Sequence, residues 1–276
     1  MVEVADFQLK LSGDTSDRHE FQGYDGYTAL AGFAWALALA AHFADTGTVR
    51  QRGDFTGRQA VRANIPKPGS IIADFSVVLL NDPIATFNYG TALAGVSSSV
   101  FLTDLVKRLF DRNLGRTSTP TTPLLQALIE KREGDVEALT AKVEPAIKQT
   151  HRVIDNGAAK ISVLGGYNMI ANLDRATKDY VNSNYQDNAI KQKDFSVASF
   201  NANSGYGSVF DFDLGRTVAF SMSSRALADY GGVFSWGLDQ YANRTNRRIN
   251  IQYTRILAMD ETPKRYIVLN AQKVDQ

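Results

Sequence analysis

The chain has 276 residues, 44% hydrophobic and 10% aromatic, which suits one large or two ordinary soluble domains. Thirty basic residues face twenty-nine acidic ones, so the basic excess of a strong nonspecific DNA binder is missing. The absence of cysteine excludes disulfides, thiolate zinc sites and cysteine nucleophiles. Because Met1–Phe7 lacks the basic and apolar regions of a signal peptide, we expect a cytoplasmic protein.

The first part of the chain predicts strands packed against one long helix. Val4–Leu11 alternates as a strand does, and Tyr24–Ala44 is apolar on nearly every face, as in a buried helix that ends before Gly47. Strands are predicted near Ala60–Ile65 and over Ser70–Leu80, the second with the apolar run of a strand covered on both faces. This order predicts an α+β layer.

A helical middle follows. Ile84–Asn113 predicts one or two helices. Thr122 is placed to cap a further helix that runs towards Thr150. We expect Gly134 and Pro145 to break or kink this helix, because proline removes a backbone donor and clashes with the preceding turn.

The C-terminal end of the first predicted domain is placed where the sequence becomes polar. Val153–Leu164 fits either a helix or a strand, and a last helix is predicted over Met169–Val181. Asn182–Lys193 is mostly polar and is interpreted as a linker. The predicted domains are therefore an α+β and helical body over residues 1–181 and a second domain over residues 195–276.

Two segments resemble membrane spans in composition. Thr28–Phe43 is almost wholly apolar but short, and Ile84–Phe110 is longer but contains Asp104 and Lys107. Buried helices of a soluble fold are the preferred interpretation, so membrane contact is not expected. The alternative is a membrane-acting effector that releases helices 28–43 and 84–110 into a bilayer.

A glycine motif opens the C-terminal region. Phe200-Asn201 precedes Gly205-Tyr206-Gly207 and the apolar Val209, an acidic turn follows at Asp213-Leu214-Gly215, and Val218-Ala219-Phe220-Ser221 comes next. This series resembles the first motifs of a cold-shock domain, which read Lys-Trp-Phe-Asn-x-x-Lys-Gly-Phe/Tyr-Gly-Phe-Ile and Val-Phe-Val-His-Phe-Ser. The resemblance implies a small OB-like β-barrel that binds single-stranded nucleic acid.

Several base-stacking positions of that family carry small residues in this chain. The positions are Ser199, Ser204, Ser208, Thr217 and Ala219. Each stacked base is worth about 1–3 kcal/mol, so their loss would remove much of the binding free energy. Only Tyr206, Phe200 and Phe220 remain as candidate stacking groups. The glycines are therefore interpreted mainly as permitting a tight turn and bent strands.

The stretch Ala226–Arg248 is longer than the corresponding cold-shock loop and mixes aromatic residues with arginines. Such residues grip phosphates and bases, and they also dominate protein interfaces. A helix packed across the barrel mouth is the simpler interpretation. The candidate residues for binding nucleic acid or a protein partner are Phe200, Tyr206, Phe220, Trp236, Tyr241, Arg244, Arg247 and Arg248.

No catalytic constellation is evident. The three histidines, His19, His42 and His151, lack metal-ligand spacing, and a buried, hydrogen-bonded role is expected for His42. Asp211 and Asp213 could hold a cation if they share a strand face, but a solvated turn is the preferred interpretation. We therefore predict no catalytic residue, no metal and no cofactor.

The whole chain also resembles uncharacterised bacterial proteins in which a turn like Lys67-Pro68-Gly69-Ser70 enters a strand, plausibly from mobile or defence loci. Taken together, the sequence predicts a non-enzymatic sensor or scaffold subunit. Its partner is expected to be a protein or a single-stranded nucleic acid. A homo-oligomer is also expected, because the helices are apolar on many faces. An enzyme not recognisable from the sequence is the remaining alternative.

Overall fold

The computed structural model describes residues 3–50, 55, 60–64, 71–87, 97–117, 119–183, 185–258 and 261–274. The protein is α+β and divides into two compact units. The first, N-terminal unit comprises Met1–Leu128 and Leu139–Asn182. The second comprises Ile129–Ala138 and Ser183–Gln276. A short piece of the predicted N-terminal body therefore groups with the C-terminal region.

The N-terminal unit contains a five-stranded antiparallel sheet in the order β2-β3-β1-β4-β5. Its strands are β1 (Glu3–Ser12), β2 (Val61–Ala63), β3 (Ile72–Leu79), β4 (Lys160–Gly165) and β5 (Asn168–Leu173). Burial alternates along β3, so one face of the sheet carries the core. The continuous apolar run in the sequence had suggested a strand covered on both faces.

The helices of this part of the chain pack on the sheet or on one another. They are α1 (Gly23–Thr46), α2 (Pro83–Phe87), α3 (Ser98–Asn113), α4 (Pro123–Thr150) and α5 (Arg175–Asn182). α1 packs against β3, and α3 packs against β1 and β5. The predicted helix ends are confirmed, because Gly47 closes α1 in the left-handed region and Thr122 Oγ1 accepts a hydrogen bond from Leu125 N at 3.3 Å.

Two predictions in this part of the chain need correction, and the one or two helices expected over Ile84–Asn113 agree with the structure. The helix expected over Met169–Val181 is strand β5 followed by the shorter α5, because its apolar residues serve a sheet. The kink in α4 lies at Arg132, where φ is −140° and ψ is 37°, and not at Gly134 or Pro145. Ile84–Asn113 contains α2 and α3, and residues 88–96 between them lie outside the described residues, as do 65–70.

The second unit is a closed five-stranded barrel in the order β10-β8-β7-β6-β9. Its strands are β6 (Tyr185–Asn201), β7 (Tyr206–Asp211), β8 (Arg216–Met222), β9 (Ile249–Leu257) and β10 (Pro263–Lys273). β8 and β10 pair in parallel and the other neighbours are antiparallel. The predicted small OB-like barrel after an α+β body agrees with this arrangement.

One helix, α6 (Ser224–Ala242), connects β8 to β9 and contacts β6 and β10. Ser223 Oγ caps it by accepting a hydrogen bond from Ala226 N at 3.1 Å. Phe234 on this helix is fully buried in the barrel core, with its ring centre 4.7 Å from that of Phe220. The expected helix over the barrel mouth is therefore present.

The glycines act as the sequence suggested. Gly205 has a φ of +70° in the turn between β6 and β7. A Cβ atom at Gly207 would lie 2.2 Å from the Ser199 carbonyl oxygen and 2.6 Å from the Phe220 ring. The motif is thus required by the turn and by close strand packing.

The predicted linker Asn182–Lys193 is wrong, since β6 begins at Tyr185 and runs for 17 residues. Its first half pairs with β9, from Tyr185 opposite Leu257 to Lys193 opposite Ile251. This half is mostly exposed, so the polar composition that resembles a linker reflects a solvated strand.

Candidate binding interface on the barrel

Strand β7 presents alternate side chains to the two sides of the barrel wall. Gly207, Val209 and Asp211 point inward. Tyr206 and Ser208 belong to the opposite, outward row. In the cold-shock resemblance, Tyr206 and Ser208 of this outward row are base-stacking positions.

The middle of this outward row is covered by residues 129–138 of the same unit. Ser208 is fully buried, and its Oγ donates a hydrogen bond to Glu133 Oε2 at 3.1 Å. Ser199 Oγ lies 2.9 Å from Ser208 Oγ, and Asn201 Nδ2 donates to Asp135. A Cβ atom at Gly134 would lie 3.0 Å from Asn201 N, so the covering segment touches the backbone of β6.

This cover accounts for a small polar residue at position 208. Serine is small enough to fit beneath the covering segment and polar enough to bind a carboxylate there. An aromatic ring at position 208 has no room, because Ser208 has no exposed surface. The same segment places the carboxylates of Glu133 and Asp135 against the outer side of β6 and β7.

The outward row is open at the turn between β7 and β8. Phe212 is 41% exposed and packs edge-on against Phe210, with ring centres 5.2 Å apart. The Arg248 guanidinium lies over the Phe212 ring, with its carbon 3.9 Å from the ring centre. Leu214 in the same turn is also exposed.

Arg248 ends a loop that connects α6 to β9 and carries two further exposed arginines, Arg244 and Arg247. Tyr241, at the start of this loop, is 53% exposed. Within the described part of the chain, none of the three guanidinium groups forms an ion pair. We define the rim patch as Phe212, Leu214, Tyr241, Arg244, Arg247 and Arg248.

The turn that carries Phe212 is anchored by Asp211, which is only 3% exposed. Tyr266 OH donates a hydrogen bond to Asp211 Oδ2 at 2.6 Å, and Lys193 donates to the other carboxylate oxygen. Asp213 N donates to Asp211 Oδ1 at 3.0 Å. These bonds hold the turn at a defined angle to the barrel.

Asp211 and Asp213 do not share a strand face, and the preferred solvated turn holds for Asp213 alone. Asp211 is buried, whereas Asp213 is exposed in the turn, and Lys193 forms ion pairs with both of them. A lysine ammonium group therefore lies where a cation had been considered. Burial acts to raise the pKa of Asp211, but the hydrogen bonds from Lys193 and Tyr266 outweigh it and lower that pKa.

The predicted binding residues separate into core and surface groups. Phe220 is fully buried and stacks between Phe200 and Phe234, so it is a core residue and cannot touch a ligand. Phe200 and Trp236 are half-buried against the same core. Tyr206 is half-buried, with the Arg265 guanidinium carbon 5.8 Å from its ring centre. Tyr241 and the three arginines are exposed, in the stretch from the last turn of α6 to the start of β9.

Sequence reasoning missed Phe210, Phe212 and the covering segment. The two phenylalanines continue the period-two row from Tyr206 and Ser208, so this signal was available in the sequence. The covering segment had no such signal, because Glu133 lies far from Ser208 along the chain and reaches it only through the fold.

The contacts of His151 indicate a structural role in the core of the N-terminal unit. His151 is buried, with its ring nitrogens 2.8 Å from Ile147 O and 3.2 Å from Thr177 Oγ1. Burial lowers its pKa to about 4, so the ring is neutral at physiological pH. Among the described residues, no cluster of three or more histidines and carboxylates is arranged to hold a metal ion.

α1 is the one helix in the described ranges that is long and apolar enough to cross a membrane. About two thirds of its apolar window is buried within the protein. A buried core helix meets the same length and composition criteria, so the membrane alternative stays a prediction.

One protein family matches this chain over residues 7–182, which is more than half of its length. The family is described as a domain of unknown function, DUF7946. The chain belongs to this family. The DUF7946 region includes the covering segment but ends before the rim patch. Neither the curated proteins nor the solved structures contain a match to the chain.

Proposed function

We propose that this DUF7946 protein is a non-enzymatic binding protein whose rim patch contacts single-stranded nucleic acid. The observation that carries the proposal is the 3.9 Å stacking of Arg248 on Phe212, which joins the β7–β8 turn to the arginine loop. Aromatic rings beside cations are what single strands require, since the rings stack on bases and the cations contact phosphates.

The charge distribution supports a polyanionic partner at this position. The chain is nearly neutral overall, with a formal charge of +1, so a basic site must be local. The loop Arg244–Arg248 contributes three positive charges, and the described acidic residue nearest in the turn, Asp213, is already paired with Lys193. The patch therefore combines unneutralised arginines with exposed aromatic surface.

The covered row on β7 supports binding at the rim and not at the usual stacking surface. Ser199 and Ser208 are buried beneath Glu133, so a strand that follows the outer face would meet a carboxylate. The rim lies at the open end of the same row, where Phe212 is exposed. A partner protein is the competing occupant, because tyrosine and arginine are also common at protein interfaces.

The test is fluorescence anisotropy with labelled single strands of about 12 nucleotides, as DNA and as RNA, beside the matching duplex. In the test variant, Arg244, Arg247 and Arg248 are each changed to Gln. The matched control changes Lys10, Lys160 and Arg225, three exposed cations elsewhere, to Gln. Both variants lose three positive charges. A difference in their affinity for single strands therefore indicates a local site, whereas equal losses indicate nonspecific electrostatic attraction.

We expect the wild type and the control variant to bind single strands alike, and the test variant to bind much more weakly. Three lost phosphate contacts reduce the slope of log K against log salt by about 2. Equal affinity of the wild-type protein and the test variant would contradict the proposal. A wild-type protein that binds no single strand would also contradict it. In that case, capture of a protein through the rim patch would favour a protein partner.

The homo-oligomer and the cytoplasmic location stay predictions, as does the resemblance to bacterial defence loci. Light scattering of the purified chain tests the oligomer. Liposome leakage tests the membrane-acting alternative.

A further inference from the structure

A second group of aromatic and cationic side chains lies in the N-terminal unit, on one stripe of α1. Trp35 and His42 are seven residues apart on this helix, so they lie on the same side. The Phe55 ring centre lies 5.0 Å from that of Trp35 and 5.4 Å from that of His42. The three rings form a small aromatic wall, and Trp35 is 37% exposed.

Arg50 is held against this wall. Its guanidinium carbon lies 4.5 Å from the centre of the Phe55 ring and 5.7 Å from the centre of the Trp35 ring. Stacking on two rings restricts the rotation of a long side chain, so the guanidinium is oriented before any ligand arrives.

The hydrogen-bonding capacity of Arg50 is unused. Within the described ranges, its guanidinium forms no hydrogen bond and no ion pair, and its Nε is buried without a partner. A desolvated donor with no acceptor is unfavourable, and an oxyanion is the partner that a guanidinium binds best. The residue is half-buried, so its remaining donors are the ones that a ligand reaches.

Among the described residues, neither His42 nor Asp45 pairs with this charge. Burial lowers the pKa of His42, and Arg50 lowers it further, so the imidazole is neutral at physiological pH. Asp45 is buried, and its Oδ1 accepts hydrogen bonds from Leu80 N at 3.0 Å and Asn81 N at 3.1 Å. These bonds tie Asp45 Oδ1 to the end of β3, while its Oδ2 is buried without a hydrogen-bond partner. Within the described ranges, the carboxylate forms no ion pair with Arg50.

We propose that Arg50, between Trp35 and Phe55, is an oxyanion-binding site of the DUF7946 region for a ligand with a phosphate or carboxylate group. The guanidinium binds the oxyanion, and the exposed Trp35 ring forms an apolar wall beside it. This site lies within residues 7–182 and is independent of the rim patch.

The experiment uses the fluorescence of Trp35. The chain has two tryptophans, so Trp236→Phe leaves Trp35 as the reporter. Inorganic phosphate, acetate and chloride are titrated at equal ionic strength, which separates a phosphate site from a carboxylate site and both from general salt effects. Arg50→Gln and Arg50→Lys are compared in this background. Arg62→Gln, which removes an exposed arginine from β2, is the matched control.

We expect a saturable change in Trp35 emission with phosphate or acetate and none with chloride. Apparent affinity should fall by about tenfold or more in Arg50→Gln, less in Arg50→Lys, and not at all in Arg62→Gln. An unchanged response in Arg50→Gln would overturn the proposal, and so would no saturable response to either oxyanion.

A second readout follows the ligand response in the unmutated chain and uses a variant only for assignment. The Nε–H resonance of Arg50, assigned by its absence in Arg50→Gln, should shift on titration of the unmutated chain with the anion that saturates Trp35. A resonance that stays in place while Trp35 responds would show that the anion binds elsewhere and would also overturn the proposal.

Discussion

The two ends of the outward row on β7 differ in cover and in charge. At Ser208 the row is buried beneath residues 129–138 and meets the carboxylate of Glu133. At Phe212 the row is exposed and meets the guanidinium of Arg248. The strand is the same, so the difference arises from which distant segment packs against each end. A glycine motif can therefore specify a barrel without specifying where on that barrel a ligand binds.

The largest expected effect contrasts Phe220 of β8, which lies in the core, with Phe212 in the turn between β7 and β8. Phe220→Ala should lower the free energy of unfolding of the barrel by about 3–5 kcal/mol, because it removes a fully buried ring. Phe212→Ala should change it by less than about 0.5 kcal/mol. Urea unfolding followed by Trp236 emission, with Trp35→Phe as background, measures both. Similar losses in the two variants would mean that Phe212 is also a core residue.

The next effect concerns the anchor of the rim. Asp211→Ala should destabilise the barrel by about 2–3 kcal/mol near neutral pH, because Lys193 and Tyr266 lose their buried acceptor. The Asp211 pKa is lower in the folded protein than in the unfolded chain. Its contribution is therefore complete above its unfolded pKa of about 4 and is lost as the pH falls through the folded value.

This pH dependence is measured by comparing the wild type with Asp211→Asn in urea at several pH values. The gap in unfolding free energy should be widest near neutral pH and should narrow below about pH 4. A gap that stays constant down to the lowest pH would show that the carboxylate charge is not what holds the turn.

A substitution at Ser208 tests how firmly residues 129–138 pack on the outward row of β7. Ser208→Phe restores the aromatic residue of a cold-shock motif, but it should destabilise the barrel by about 1–3 kcal/mol, since the site is fully buried. Ser196→Phe, on the less buried part of β6, is the control. A Ser208→Phe variant that kept wild-type stability and gained single-strand affinity would mean that residues 129–138 leave this surface readily.

The smallest expected effect lies in the arginine loop. Arg244 has a φ of +53°, a left-handed conformation that glycine adopts without steric cost. Arg244→Gly should therefore change stability by less than about 1 kcal/mol, while the salt slope for single-strand binding falls by about 0.7. Arg225→Gly is unsuitable as a control because Arg225 lies in helix α6, where glycine is itself destabilising. Arg244→Gln is therefore compared with Arg244→Gly, since it removes the same charge. An unchanged slope in both Arg244 variants would place this residue outside the binding surface.

Local patterns in the sequence predicted much of the fold. The alternation of Val4–Leu11, the apolar run of α1 and the caps at Thr122 and Gly47 are local features, and the structure agrees with each of them. The pattern at Gly205-Tyr206-Gly207 predicted the barrel for a similar reason, because the turn and the close strand approach require glycine. The prediction failed where it relied on polar composition instead of residue alternation, as in the exposed half of β6, which was interpreted as a linker.

The sequence by itself determined the class of fold, the barrel and its arginine loop, because hydrophobic periodicity, glycine positions and charge are properties of neighbouring residues. Only the tertiary structure decided which of the aromatic residues are exposed. Phe220 and Phe212 look equivalent along the chain, but one faces the barrel core and the other the solvent. Likewise, Glu133 covers Ser208 through a long-range contact that residue spacing does not encode. Burial is set by what packs against a side chain, and for these residues that neighbour is distant in sequence.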